Sequence, residues 1–561
     1  MAARSRRVGR TIPQQNRRRS KAVSVEACAS AGRSAFVSLG SLVSTAIVWF
    51  HRDLRLTDHP ALHRAASRHA RIVPVYIHAP SEEAPWAPGA ASRWWLHHSL
   101  EAFQQSLTAR GSRLIIVRSD DSLTALRSLV QQTRADAVYW NRRYEPTLAA
   151  RDRTIEAALR GDGTHVDHSP SALLIEPALL QKADGTPYQV FTPFWRALRM
   201  REPPPAPLAI PASLGAPASC PKTQPIEALQ LLPRVRWDAG LEDAWQPGEA
   251  HARARLRRFC ETGLADYEHG RDWPGRDGIS RISPHLHFGE LSPGQIWHEV
   301  TAAANRGAAS EDAQESYLRQ IGWREFAHYT LHHWPHTPLE PLQPKFSRYP
   351  WRHNYDELLR DWQRGRTGYP MIDAGMRELW TTGWMHNRAR MLTASFLVKN
   401  CRIPWQEGAR WFWDTLVDAS LANNTLGWQW TAGCGTDAAP YFRIFSPIRQ
   451  GEQFDSDGAY VRRWIPELAT IPNRALHKPW TASPSLALFK THAASTSTST
   501  KAEYPEPRID FATSRQEALA GWQELRDSTQ TTEPTATTET KRRNRSSKSP
   551  RTISSRRHRS S

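Results

Sequence analysis

The residues best suited to chemistry lie between Gly368 and Phe445. The stretch opens as Gly368-Tyr369-Pro370-Met371-Ile372-Asp373-Ala374-Gly375-Met376 and continues as Trp384-Met385-His386-Asn387-Arg388-Ala389-Arg390-Met391. It runs through Asp418-Ala419-Ser420-Leu421-Ala422-Asn423-Asn424-Thr425-Leu426-Gly427-Trp428-Gln429-Trp430 and closes on Pro440-Tyr441-Phe442-Arg443-Ile444-Phe445. Ordinary folding does not need aromatics, amides and arginines at this density. Aromatic faces stack on planar ligands, arginines hold phosphates, and amides hydrogen-bond without adding charge. Indole is also oxidisable, so a series of tryptophans can carry an electron, although a single Trp usually serves core packing. Upstream, Gly278-Ile279-Ser280-Arg281-Ile282-Ser283-Pro284 sets hydroxyls and a cation near a helix start. That grouping suits a diphosphate. Taken alone, it reads better as a helix cap.

The elements that must position these groups begin at Thr45. Ala46–Phe50 is an apolar, β-branched and aromatic run that reads as a buried strand, and His51–His59 as a polar loop after it. Ile72–Ile77, Arg113–Val117 and Ala137–Trp140 read as further strands, with helical stretches at Ser92–Gln105 and Ser122–Thr133 between them. Such alternation implies a parallel sheet covered on both faces. Residues 200–250 are rich in Pro, Ala and Leu without periodicity and read as a long connector. From His251 to Arg526 the pattern is largely helical; Ser495–Thr500 is a low-complexity patch. The expected organisation is an extension at 1–44, an α/β domain at 45–175, a connector at 176–250, a helical domain at 251–526 and a tail at 527–561. A chain of 561 residues accommodates two domains and tails.

The net charge of +19 is uneven. Residues 1–44 carry nine Arg and Lys against Glu26, and residues 527–561 carry nine against Asp527, Glu533 and Glu539, which leaves a body of only +5. Basic ends of this kind hold nucleic acid through phosphate contacts, or are simply solvated disordered chain. The front is Arg-, Ser- and Ala-rich like a transit peptide, and Lys541–Arg545 matches a nuclear signal; both patterns arise easily by chance. The five cysteines, Cys28, Cys220, Cys260, Cys401 and Cys434, show no metal-ligand spacing and suit a reducing, cytoplasmic setting. No apolar run approaches the roughly 20 residues needed to span a bilayer.

Together these motifs resemble the photolyase/cryptochrome family from about Thr45 to Arg526. Val48–Asp58 resembles its opening strand and loop, and Pro88–His97 its bacterial branch nearest plant cryptochromes. Gly278–Gly289 resembles the segment beside the flavin phosphates. The resemblance implies a doubly wound parallel-sheet domain followed by an all-α domain that holds FAD. It implies light-driven repair of cyclobutane pyrimidine dimers in UV-damaged DNA by a monomer, through electron transfer from reduced flavin to a flipped-out dimer. Tyr267, Ile279, Ser280, Arg281, Ile282, Ser283, Arg390, Asp418, Ala419, Ser420 and Asn424 match flavin positions. Trp428, Trp405 and Trp351 match the proximal, middle and surface members of an electron-hopping chain. Trp323 and Trp430 match the walls that sandwich the pyrimidine pair, with Met391 beside them and Gln320 at a lesion contact. Arg271, Asn387, Arg388 and Gln450 match DNA contacts.

Four positions depart from the pattern. Gln320 replaces a glutamate, Ser420 the second aspartate of an Asp-x-Asp pair, Ile279 a threonine or serine, and Ser446 a common asparagine. Lost hydrogen bonds to charged partners are worth about 1.5–3 kcal/mol each, so weaker FAD retention is one reading and lineage drift another. Thr147 and Leu148 stand where one folate site has Asn-Glu; the nearest branch holds its antenna, a methenyltetrahydrofolate, differently. A cryptochrome-like photosensor without repair is the alternative, favoured by the basic tail and the departures and opposed by Asn424, Trp323, Trp430, Met391 and Arg388. A generic α/β hydrolase is set aside because the chain has neither a P-loop nor a Gly-x-Ser-x-Gly run. Deleting residues 527–561 should reduce both non-specific DNA binding and its salt slope in a titration between low and moderate salt.

Overall fold

In β1, Thr45–Phe50, all six residues are buried, which requires cover on both faces. The computed structural model describes residues 44–215, 220–438, 442–482 and 504–530; the remaining tail residues, Cys28 and Ser495–Thr500 lie outside it. β2 (Arg71–His78), β3 (Ile115–Arg118), β4 (Ala137–Asn141) and β5 (His165–Ser169) complete a parallel sheet in the order β3-β2-β1-β4-β5. Its register places Val48 beside Pro74 on one side and Tyr139 on the other. Successive side chains of β1 enter different cores. Ala46, Val48 and Phe50 pack with α1 (Pro60–Arg68) and α2 (Ala90–Thr108). Ile47 and Trp49 pack with α3 (Ser122–Thr133) and α4 (Pro146–Gly161). The doubly wound domain is therefore present. β5 is the strand sequence reasoning missed: His-Val-Asp-His-Ser carries a single apolar residue, as an edge strand can.

The connector does not hang free. Ile72 donates to Leu214 O at 2.8 Å, and Gln224 donates to Ile116 O at 3.0 Å, so it contacts β2 and β3. Beyond it the chain is helical. The elements that matter for the site are α5 (Ser283–His287), α6 (Glu311–His333), α7 (Pro370–Thr382) and α8 (Asn387–Ser395). They continue with α9 (Trp405–Thr415), α10 (Leu421–Ala432), α11 (Pro447–Phe454) and α12 (Phe511–Gln530). A π-turn, Phe396–Asn400, extends α8. α12 reaches Gln530, past the composition break at Arg526.

The two halves meet in a buried polar seam. Leu54 donates to Phe288 O at 3.1 Å, and the Arg55 guanidinium donates to Gly289 O at 2.9 Å. Gly289 has φ +62, and a Cβ there would sit 2.3 Å from Arg52 O, so both its conformation and the close approach require glycine. Trp95 of α2 donates to Glu290 at 3.1 Å, and the other Glu290 oxygen meets His285 of α5 at 2.5 Å. Trp95, Phe288, Trp384 and Val417 consequently share one apolar cluster across the seam. Among the described residues, no helix is long and apolar enough to cross a membrane.

Glu325 of α6 braces the seam from the helical side, accepting from Leu174 N at 2.8 Å. Burial pushes its carboxyl up from 4.5 to about 7, while Arg324 pulls the other way. The folded protein thus keeps a proton that the unfolded chain releases between those values, and stability falls as pH rises through that window. The unfolding free energy of the wild type, relative to Glu325→Gln, should drop by about 2–3 kcal/mol between pH 5 and pH 8 in urea titrations.

Candidate functional site

A cavity of about 650 Å³ opens between the Ile279–Ser283 loop, α6, α8 and α10. Tyr267, Ile279, Ser280, Arg281, Ile282, Ser283, Arg390, Asp418, Ala419, Ser420 and Asn424 all line it. Asp418 is the hub of this wall. One carboxylate oxygen, Oδ2, accepts from Ser283 Oγ at 2.6 Å and from Arg390 Nη2 at 2.8 Å. Arg390 also donates through Nε to Met385 O at 2.7 Å, and Trp384 donates to Ser283 Oγ at 3.2 Å. Arg281 (φ +50) and Arg390 both lie over the Trp384 ring, at 5.2 and 5.6 Å. Ser280 Oγ accepts from Tyr317 at 2.9 Å.

Several polar atoms of the cavity lining have no protein partner among the described residues. Asp418 Oδ1 and Arg281 Nε are both buried and unsatisfied among the described residues. An acceptor and a donor left so are costly unless a ligand completes them. A flavin dinucleotide, with ring N–H groups and a diphosphate, supplies both complements, and the volume suits it. His386, which caps α8 by accepting from Arg388 N at 3.2 Å, is pushed down to about 3 by burial and then by Arg281. It is a neutral imidazole in the cavity wall. Burial pushes the Tyr267 hydroxyl up to about 12.

Two further aromatic residues line the same cavity. Trp323 and Trp430 both line it, with Gln320, Met391, Asn387 and Arg271. Trp323 is stacked on Phe191 at 3.8 Å and 8°. Gln320 donates to Ser316 O at 3.2 Å and accepts from Arg271 at 3.4 Å. Asn387 and Met391 touch, with the amide nitrogen 3.6 Å from Sδ. Arg388 and Gln450 do not line the cavity. They pair with each other at 3.3 Å, and Arg388 is further held by Asp272 at 2.5 Å and by the Phe454 ring at 3.7 Å.

Comparison with known proteins decides what this arrangement belongs to. Residues 46–211 match the family described as DNA photolyase, and residues 317–524 match the FAD binding domain of DNA photolyase. A deoxyribodipyrimidine photo-lyase from Agrobacterium fabrum is 44% identical over 86% of this chain and 98% of its own. The chain belongs to the photolyase/cryptochrome family. Cryptochrome-2 of Arabidopsis thaliana is 36% identical over 84% of this chain and 77% of its own. The crystal structure of a bacterial class III photolyase from Agrobacterium tumefaciens superposes with a TM-score of 0.82, at 42% identity, covering 88% of this chain and all of that one.

The three family-matched tryptophans differ in exposure. Trp428 lines the cavity and is buried, Trp405 is buried at the start of α9, and Trp351 is half-buried. α9 packs tightly on α10, since a methyl at Gly408 would lie 2.0 Å from the Trp428 ring. Tyr349 and Pro350, beside Trp351, are covered by α12 through Ala518 and Gly521.

The departures from the family pattern have local explanations. Ser420 is the N-cap of α10, its Oγ accepting from Asn423 N at 3.5 Å, and Ser446 caps α11 in the same way at 3.3 Å. Ile279 packs against the cores of both halves, so its side chain fills the seam. Gln320 is anchored at both ends of its amide. Sequence reasoning missed Phe191, Tyr317 and Asp272, which support the site from distant segments with no local signal; Trp384 stood in a quoted motif without a role. Ser420→Ala should cost about 1 kcal/mol in chemical denaturation through the lost cap. Ser420→Asp keeps the cap, restores a second acceptor, and should raise the fraction of protein that retains flavin through gel filtration.

Proposed function

We propose that this protein is a light-driven lyase that splits cyclobutane pyrimidine dimers in DNA. The observation that carries the reading is that one cavity unites the Asp418-centred flavin wall with Trp323 and Trp430, two aromatic walls suited to a planar base pair. FAD, when bound, would supply the light-excited electron chemistry. The chain's own residues bind, orient and exclude water. Arg281 and Ser280 would hold the diphosphate, and Asp418 and Arg390 the ring. Asn424 commits an amide N–H to Ala409 O at 3.0 Å, so its carbonyl oxygen would be available to a bound flavin as an acceptor without charge. Trp351, Trp405 and Trp428 would pass electrons inward to a bound flavin, leaving the hole toward the surface.

Lesion recognition follows from stacking. A dimer costs less to unstack than intact bases, and each base–aromatic stack returns about 1–3 kcal/mol. Phe191 behind Trp323 holds that wall in place before the lesion arrives. Gln320 offers an amide to the dimer but no acidic proton. Arg271, Arg388, Asn387 and Gln450 meet the DNA backbone, where charge positions the duplex. We further read residues 45–175 and 251–526 as the two working domains, the protein as a cytoplasmic monomer, and its antenna as a folate, methenyltetrahydrofolate, near Tyr139–Glu145.

The test is repair. Protein reconstituted with FAD and reduced, then mixed with a thymine-dimer oligonucleotide under blue light, should restore intact thymines, with no recovery in the dark. Retained, photoreducible flavin without recovery would reassign the chain to the photosensor class.

A further inference from the structure

A second cavity, of about 230 Å³, lies beyond Trp430, and Trp430 and Thr431 line both it and the larger one. Its size falls below that of a dinucleotide or drug-sized site. Aromatic rings make up much of its wall. Phe442 and Trp522 are stacked at 5.9 Å and 23°, with Phe346 and Phe445 alongside. Lys399, in the π-turn that extends α8, lines it as well, along with Gln343, Lys345 and Arg443. Such interruptions of a helix often mark functional positions.

Lys399 is an unusual group to bury. It is 1% exposed, donates to Ala432 O at 3.2 Å, and stands 3.0 Å from the Phe442 ring centroid. It forms no ion pair among the described residues. Burial therefore holds its ammonium well below the ordinary lysine range. Capping the end of α10 accounts for one of its three donors. A backbone carbonyl needs only one hydrogen bond, and a serine hydroxyl could provide it at far lower desolvation cost. Donor capacity facing a small aromatic cavity matches a flat heteroaromatic ring with acceptor atoms on its edge.

We propose that this cavity takes a nucleobase of DNA, namely one left unpaired opposite the extruded lesion. The inference rests on the function proposed above. When a dimer leaves the duplex, its two partner bases lose both pairing and stacking, whereas flanking bases keep their pairs. The partner bases are thus the ones that gain most from an aromatic pocket. Trp430 then separates two sites: the dimer on the side of the larger cavity, and the orphaned base on the side of Lys399, Phe442 and Trp522.

The experiment uses the full chain, loaded with FAD and kept in the dark, and two probes. One is a thymine-dimer oligonucleotide as a single strand; the other is the same strand in duplex with 2-aminopurine opposite either thymine of the dimer. Wild-type protein should quench the 2-aminopurine at one of the two positions. Trp522→Ala and Lys399→Met should abolish most of that quenching and weaken duplex binding by about fivefold or more. Both variants should bind and repair the single-stranded dimer within about twofold of wild type, because no partner base is present. Trp522→Leu is the reserve variant should Lys399→Met lose its flavin. Unaltered quenching and duplex affinity in the variants, or equal losses on single and double strands, would overturn the proposal. Failure of the wild type to bind either dimer probe would instead overturn the lyase reading itself.

Discussion

The site depends first on the shared carboxylate of Asp418. Ser283 opens α5, Arg390 belongs to α8, and Asp418 to the turn leading into α10. One oxygen joins all three at 2.6–2.8 Å. An arginine and a serine brought to the edge of a 650 Å³ cavity would otherwise be poorly placed and partly desolvated. The interaction also leaves the other carboxylate oxygen free and buried, so the wall is organised before any ligand arrives. Preorganisation of this kind lowers the cost of binding, because the polar groups are already oriented.

That hub works only if the α/β half is held against it. The seam does so with backbone and charge together: Arg55 on Gly289, Trp95 on Glu290, and Glu290 on His285. Each contact ends on the segment between Ser283 and Glu290. The sheet domain therefore acts as a brace for the loop that carries Ser280, Arg281 and Ser283. Ile279 fits this account, since an apolar side chain contributes packing to both cores where a hydroxyl would not.

The tryptophans divide into two physical roles. Trp95, Trp362 and Trp428 are almost wholly buried, whereas Trp323 and Trp430 keep exposed surface in the cavity. A half-buried indole backed by another ring is both rigid and available, which a base-stacking wall needs. Rigidity comes from Phe191 for Trp323. Arg388 gains the same restraint from Asp272 and Phe454, so a half-buried cation is held in a fixed position.

Local sequence determined most of the framework. The apolar run at Thr45–Phe50 and the periodicity of Ser122–Thr133 specify their elements, because strand and helix burial impose periods that a short window reveals. Of the residues singled out between Tyr267 and Gln450, most line one cavity, while Trp351, Trp405, Arg388 and Gln450 do not. β5 escaped because an edge strand of His, Asp and Ser has no apolar period. Only the tertiary structure decided that Phe191 lies behind Trp323 and that Asp418 is shared between Ser283 and Arg390. It alone set Trp522 and Lys399 around a second cavity. Those contacts join segments from tens to more than a hundred residues apart, and no local pattern records a partner at that distance. Residue types and spacing state what a group can do; packing decides what it meets.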